Sequence, residues 1–304
     1  MSGAKERIRR YRHRAMATVF EIMIAGEDDS FAGGAAQAAI ETIDRLELDL
    51  SRYLPNSDVS RINNLPPDQS VCVSADTFEC LRRSLRYCRE TGGAFDVMTG
   101  ALKDCWMGKD RSPHDPSPEE IERARVRSGS SRLELDEKTM TVRVHGPAPL
   151  IDLGAIGKGF AVDCAAELMR EWGVASALLH AGTSSAYAFG DSPGNSGWPV
   201  TLSNPAPPFE VLEKVRLNDQ ALGGSGIRQG HHIIDPRKGA PVERRGASWI
   251  LSESASRSDA LSTACMVMAR EEIQGLIAGS GELRALIIDE NSREVLRFGR
   301  WDAA

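Results

Sequence analysis

The sequence predicts an α+β protein with mixed or antiparallel sheets and flanking helices, arranged as one large domain or two intimately packed ones. Three observations predict it. Alternating apolar runs follow one another through hairpin-length turns more often than through crossover helices. Longer stretches carry apolar residues at intervals of three and four. The chain has 304 residues, 41% hydrophobic and 26% charged, the make-up of an ordinary protein that buries a sizeable core.

The elements follow in order. The first 13 residues are basic and are expected to form a solvated tail, ahead of a domain covering residues 14–304. Thr18–Ala25 (TVFEIMIA) alternates as a strand should, and residues 31–50 have the period of an amphipathic helix. Residues 51–64 are rich in turn formers and lead to a short strand around Val71. A second helix is expected over 76–90, with Asp76 placed to cap it after Ser74. Thr91-Gly92-Gly93 breaks that helix. Residues 111–119 (RSPHDPSPE) are the most linker-like stretch, and a subdomain junction is expected there. Pro118 suits the first position of a helix over 118–126. A hairpin then joins 131–135 to 140–144, and a strand at 150–153 runs through a Gly-rich turn into a helix over 158–172. Further strands are expected at 177–180, 198–202, 211–217, 233–234 and 249–251, with a helix over 258–269 and a closing hairpin of 283–289 with 294–298.

Composition excludes several function classes. There are 37 basic and 43 acidic residues, a net charge of −6, which argues against a general nucleic-acid binder. No run approaches the roughly 18 apolar residues of a membrane helix. The basic N-terminus lacks the apolar stretch of a secretory signal, the first cysteine is Cys72 and no lipobox is present, so the cytoplasm is the expected location. Six cysteines occur with no C-x-x-C pair, which fits reduced, mostly buried small apolar residues better than zinc ligation or redox work.

Three segments carry chemistry. The first is Ile151-Asp152-Leu153-Gly154-Ala155-Ile156-Gly157-Lys158-Gly159-Phe160-Ala161-Val162-Asp163. A carboxylate is followed by glycines and a lysine opening a helix, an arrangement that favours anions at the helix N-terminus. It matches neither standard nucleotide fingerprint, and a tight connection is the plainer reading. In the second, Gly230-His231-His232-Ile233-Ile234-Asp235-Pro236-Arg237-Lys238-Gly239, adjacent histidines on a strand point to opposite faces, so at most one faces a site. A surface histidine beside a turn is the alternative. In the third, Ser258-Asp259-Ala260-Leu261-Ser262-Thr263, Asp259 and Thr263 stand one helical turn apart. Two hard oxygen donors on one face suit Mg²⁺ or Ca²⁺. An N-cap at Ser258 or Asp259 fits the local sequence equally well.

Together and in this order, the segments resemble the ApbE family of FAD:protein FMN transferases, whose members show D-L-G-x-I-x-K-G-[YF]-A-x-D, H-I-I-D-P-x-x-G-x-P and D-A-x-x-T. Upstream, Met16-Ala17-Thr18-Val19-Phe20 is similar to M-G-T-x-F and Leu50-Ser51-Arg52-Tyr53 to L-S-x-[YFW]. Ser57 through Asn63 resembles S-x-x-x-x-[IL]-N, and Gly93-Ala94-Phe95-Asp96 resembles G-x-F-D. The resemblance spans residues 14–299. It implies an FAD cleft between two subdomains, with a divalent metal at the pyrophosphate. By the same resemblance Met16, Tyr53, Ala94, Phe95 and Asp96 line the cleft from the N-terminal half, and Asp152, Lys158 and Ile233 from the C-terminal half. Asp259, Thr263 and the carbonyl of Ala155 would hold Mg²⁺. The implied reaction moves FMN from FAD onto a Ser or Thr hydroxyl of an acceptor flavoprotein and releases AMP. His232 is the candidate general base and Asp259 the alternative. An FAD-binding protein without transfer activity and an FAD pyrophosphatase giving FMN and AMP are the competing readings. Two departures stand out. Ala181-Gly182-Thr183-Ser184-Ser185 replaces the family's G-G-D, and only Ile227 to His231 separates Ser225-Gly226 from His232.

Overall fold

The computed structural model describes residues 7–107, 112–205, 209–226, 233–242, 245–289 and 294–301. Its frame is an eight-stranded sheet, and every strand pairing among the described residues is antiparallel. The strands are β1 (Ile8–Ala15), β2 (Thr18–Ala25), β6 (Ala177–Ala181), β7 (Ser185–Phe189), β10 (Gln220–Gly226), β13 (Arg245–Ser252), β14 (Arg284–Asp289) and β15 (Val295–Phe298), in that spatial order. On one face lie helices α1 (Asp29–Leu50), α6 (Gly157–Glu171), α7 (Ala255–Val267) and α8 (Arg270–Ala278). The other face is covered by the hairpin of β8 (Trp198–Ser203) and β9 (Val211–Leu217), whose Trp198, Leu202, Val215 and Leu217 pack on Leu178, Ala186, Ala188 and Leu251.

A second unit is inserted between α1 and α6. It holds α2 (Asp58–Asn63), β3 (Ser70–Cys72), α3 (Ala75–Glu90), a 3₁₀ turn over Val97–Thr99, α4 (Gly100–Trp106), α5 (Pro118–Val126), β4 (Leu133–Asp136) and β5 (Thr141–Val144), with sheet order β3-β5-β4. Val59, Ile62, Phe78, Leu81, Val142 and Val144 belong to the same buried apolar cluster as Ile22, Leu46, Phe160 and Leu179, so one core serves both units. The short pair β11 (Ile234–Asp235) and β12 (Ala240–Pro241) docks on this second unit. There Ile234 packs with Leu102 and Ala124, and Trp106 Nε1 donates to the carbonyl of Gly239 at 2.8 Å.

Several expectations are corrected. Residues 8–13 are not a tail. They form most of β1, because Arg9 and His13 on one face pair with Asp29 and Asp44 of α1 while Ile8 and Tyr11 pack on the apolar clusters. Residues 150–153 form no strand. The backbone of 150–152 bonds to the Asn63 side chain, to Gly100 and to Val97, and the Leu153 carbonyl accepts from the amides of Ile156 and Gly157. The turn-rich stretch 51–64 contains α2, capped by Ser57. Ser74 caps α3, and Asp76 pairs with Arg45 of α1. Helix α7 begins at Ala255 with Ser254 as its cap, which puts Asp259 in the second turn and removes the local-cap reading for it. Strands β7 and β10, both central, and helices α4 and α8 were not expected from the sequence. No described helix is long and apolar enough to cross a membrane.

Candidate functional site

The turn at 154–156 and the start of α6 organise the site. Ahead of the turn, the Asp152 amide donates to the carbonyl of Val97 at 2.8 Å, fixing the carboxylate against the second unit. Lys103 Nζ donates to Asp152 Oδ2 at 3.0 Å, and the Gly154 amide donates to Oδ1 at 2.8 Å. Arg52 Nε lies 3.5 Å from Oδ2 as an ion pair without hydrogen-bond geometry. Burial alone would raise the Asp152 carboxyl; Lys103 and Arg52 outweigh it and hold the group below the usual carboxylate value. Arg52 also reaches Asp104 and lies over the Tyr53 ring, 4.9 Å from its centroid. Among the described residues its Nε and Nη1 are buried without hydrogen-bond partners. Tyr53 itself is 65% exposed, so most of the ring is available for stacking.

After the turn, Lys158 Nζ donates to the carbonyl of Gly154 at 3.0 Å, and the Gly159 amide donates to Asp259 Oδ2 at 3.1 Å. Asp259 therefore caps α6 from the neighbouring helix. Gly159 makes this crossing feasible, since a Cβ there would come within 2.3 Å of the Ala255 carbonyl oxygen. Strand β10 approaches α7 just as closely, with an ideal Cβ on Gly223 falling 2.2 Å from the Ser258 carbonyl. Asp259 is 2% exposed. Burial pushes its carboxyl up, opposed by the Lys158 charge, the Gly159 amide and the nearby Ser185 hydroxyl. Thr263, one turn on, shares a hydrogen bond of 3.1 Å with Ser225 Oγ of β10.

Asp163, the last residue of the Gly-rich segment, orients α7. It accepts from the amides of Ala255 and Ser256, from Ser256 Oγ and from Arg83. Burial pushes the Asp163 carboxyl up, and these donors work against that.

Met16 sits in the β1–β2 turn with φ +49°, and its amide donates to Glu47 Oε1 at 2.7 Å. That turn adjoins the 181–185 loop, because the Gly182 amide donates to the Val19 carbonyl. Ala94 and Phe95 are buried, and the Phe95 ring belongs to the core. Asp96 is committed to the fold. It accepts from the Met98 amide at 2.7 Å, from the Ser130 amide at 2.8 Å and from Ser130 Oγ. Ile233 is buried and accepts from the Val242 amide at 2.9 Å. Ala155 is half-buried in the turn itself, against the main core. His232 lies outside the described residues.

Sequence reasoning missed Arg52, Lys103, Asp163 and Ser185. Arg52 sits in the middle of the L-S-x-[YFW] match, a variable position of that pattern. For Lys103 the local sequence carries no signal, because its role depends on tertiary approach, and Ser185 was singled out only as part of the 181–185 departure from G-G-D.

The donor set around Asp259 suits a hard cation. A fully buried carboxylate has no Lys or Arg ion pair among the described residues. Beside it lie the Thr263 hydroxyl and the buried Ser185 hydroxyl, which acts on the carboxylate as a hydrogen-bond donor. Among the described residues no group of three or more His, Cys, Asp or Glu gathers to hold a metal. A cation here must therefore complete its shell with neutral protein oxygens, water or ligand oxygens, as Mg²⁺ commonly does.

A profile of the ApbE family matches residues 16–287. The FAD:protein FMN transferase of Salmonella typhimurium is 26% identical over 295 residues, 91% of this chain and 83% of that protein. The enzyme of the same name from Chlamydia trachomatis is 28% identical over 278 residues, 84% of this chain and 83% of that one. Among solved structures, the apo flavinyl transferase ApbE of Pseudomonas stutzeri superposes with a TM-score of 0.83 at 25% identity, covering 98% of this chain and 96% of that chain. The ApbE protein of Thermotoga maritima superposes with a TM-score of 0.85 at 27% identity, covering 96% and 97%.

Proposed function

Because this chain belongs to the ApbE family, we propose that it is an FAD:protein FMN transferase, moving FMN from FAD onto a Ser or Thr hydroxyl of an acceptor flavoprotein and releasing AMP. The observation that carries this reading is a single turn with two charged ends. Asp152, Lys103 and Arg52 gather before it, and Lys158, the α6 N-terminus and buried Asp259 gather after it.

In this reading Lys158 and the α6 N-terminus face the pyrophosphate and offset its charge. Tyr53 offers a ring for stacking, and Arg52 contributes two buried N–H donors beside it. Asp152, kept ionised by Lys103 and Arg52, accepts from a ribose hydroxyl or an adenine amino group. Asp259, Thr263 and the Ala155 carbonyl would hold Mg²⁺, which supplies positive charge against the pyrophosphate. Asp163 and the glycines at 159 and 223 keep Asp259 in register with α6. The acceptor hydroxyl oxygen bonds to the flavin-side phosphorus, the bond to the AMP phosphate breaks, and His232 takes the hydroxyl proton.

Incubation with FAD, Mg²⁺ and an acceptor domain tests the reading. AMP release together with flavin fluorescence that stays with the acceptor in a denaturing gel is the expected result. AMP and FMN without labelled protein would mean a pyrophosphatase, and FAD binding without AMP would mean a flavin-binding protein.

A further inference from the structure

We propose that Arg237 is a positioning residue for the transfer step: its guanidinium ties the β11–β12 pair, reached directly from Ile233, to the end of α7, the helix that carries Asp259 and Thr263. This inference rests on the transferase reading given above. After β11 the chain turns at Asp235-Pro236, where the Lys238 and Gly239 amides donate to the Asp235 carbonyl at 3.2 and 2.8 Å. The buried Asp235 carboxylate accepts from the Arg237 amide at 3.0 Å and from Arg237 Nε at 3.3 Å, which fixes the direction in which the side chain leaves the turn. Arg237 Nη1 then donates to Glu272 Oε1 of α8 at 2.6 Å. Its Nη2 reaches, more weakly at 3.5 Å, the carbonyl of Val267, the last residue of α7.

Both ends of this bridge are anchored. Glu272 Oε2 accepts from the Ala269 amide at 2.6 Å, which holds the carboxylate at the α7–α8 junction. On the other side the turn is held to the inserted unit, where Trp106 donates to the Gly239 carbonyl and Arg125 to the Lys238 carbonyl. The stem of Arg237 also passes Gly93, where an ideal Cβ would stand 3.9 Å from Arg237 Cγ. One side chain thus meets the G-A-F-D stretch, the I-I-D-P segment and the end of α7. Magnitudes separate positioning from plain support of the fold. The Arg237 and Glu272 side chains are 32% and 41% exposed, and an ion pair so exposed adds little to folding. Reacting groups, by contrast, must be held about 3–3.5 Å apart, and a misplacement of about 1 Å costs on the order of 100-fold in rate. Loosening the bridge should therefore show in turnover before it shows in stability. The planar fork donates to Asp235, Glu272 and Val267 in three directions, which the single ammonium of a lysine reproduces only in part.

The test compares the full-length protein with Arg237→Met, Arg237→Lys, Glu272→Gln and the double variant Arg237→Met/Glu272→Gln. AMP release is measured with FAD, Mg²⁺ and the acceptor domain of the transfer assay, FAD affinity by fluorescence titration, and Tm by thermal melting. Glu272→Gln removes the charge that Arg237 pairs with and keeps an oxygen for the Ala269 amide. Arg237→Met should lower kcat about tenfold, with FAD affinity within about twofold and Tm within about 2 °C of the parent. Arg237→Lys should recover part of that loss, and Glu272→Gln should lower kcat by less. The double variant should be no worse than Arg237→Met alone, because both changes remove the same bridge. Losses that multiply in the double variant overturn the proposal. So does an Arg237→Met protein whose turnover per bound FAD equals the parent's, with any loss explained by fewer folded molecules. That outcome in an active parent leaves the transferase reading standing. A parent that releases no AMP overturns the transferase reading, and the proposal falls with it.

Discussion

Asp259 concentrates the conflict between stability and chemistry in one carboxyl. Burial raises its pKa, opposed only in part by Lys158, the Gly159 amide and Ser185. For a carboxyl raised on folding, the stabilising contribution is present at low pH and is lost as pH rises through the folded-state value. Without metal, Asp259→Asn should therefore melt like the parent at acid pH and be more stable at neutral pH, by about 1 kcal/mol. With FAD and Mg²⁺ it should release no AMP. Thermal melts across pH with a chelator present check the first part, and an AMP assay checks the second. A parent protein that stays the more stable one at neutral pH would show that burial of this charge is already compensated. Lys158→Met should weaken FAD more than riboflavin, since a neutral ligand gains nothing from its charge. Equal losses in a fluorescence titration would make the lysine a structural brace for the Gly154 carbonyl. Ala17 occupies the β1–β2 turn with φ +56°, where a Cβ is strained. Ala17→Gly should relieve that strain and raise stability by about 0.5 kcal/mol, after allowing for the greater freedom of glycine in the unfolded chain. Chemical denaturation measures it.

At the scale of elements, the site depends on how closely α6, α7 and β10 approach. Gly159→Ala would drive a methyl group into the Ala255 carbonyl, so the helices must part or shift. A loss of about 1–3 kcal/mol is expected, with a larger proportional loss of AMP release because Asp259 moves with α7. Stability and turnover measured on the same samples distinguish this from simple unfolding. Long periodic elements such as α1, α3 and α6 and the β14–β15 hairpin were legible in the sequence because periodicity, caps and turns agree there. Strands β7 (SAYAF) and β10 (QALGGSG) were not. Small residues are poor strand formers in isolation, and these are placed by the need to admit α7. The arginines of β1 read as a tail from their charge, while in the fold two faces of one strand use them differently. Within the site, the spacing of Asp259 and Thr263 was readable because it is local. Ser185 and Asp163 were not, since each acts on an element distant in sequence.

On the scale of the whole molecule, the site joins two units that share one core. Arg52, Tyr53 and Lys103 come from the inserted unit and its approach, and Asp259 and Thr263 from the sheet side. In the proposed reading a dinucleotide spans both and a mononucleotide does not. FAD should therefore bind at least about tenfold tighter than FMN when Mg²⁺ is present. Equal affinities in a titration would argue that the flavin end alone is held.

The same insertion has a consequence during synthesis. Strand β2 pairs with β6 across the whole intervening unit. The partner for its inner edge is translated roughly 150 residues later, on the order of 10–30 s at ribosomal rates. Helix α1 follows at once and can shelter the apolar face, but it cannot satisfy the open backbone edge. Nascent chains on one message carry that edge side by side. Slowing translation, usually a kindness to difficult proteins, lengthens the exposure here and should lower the soluble yield.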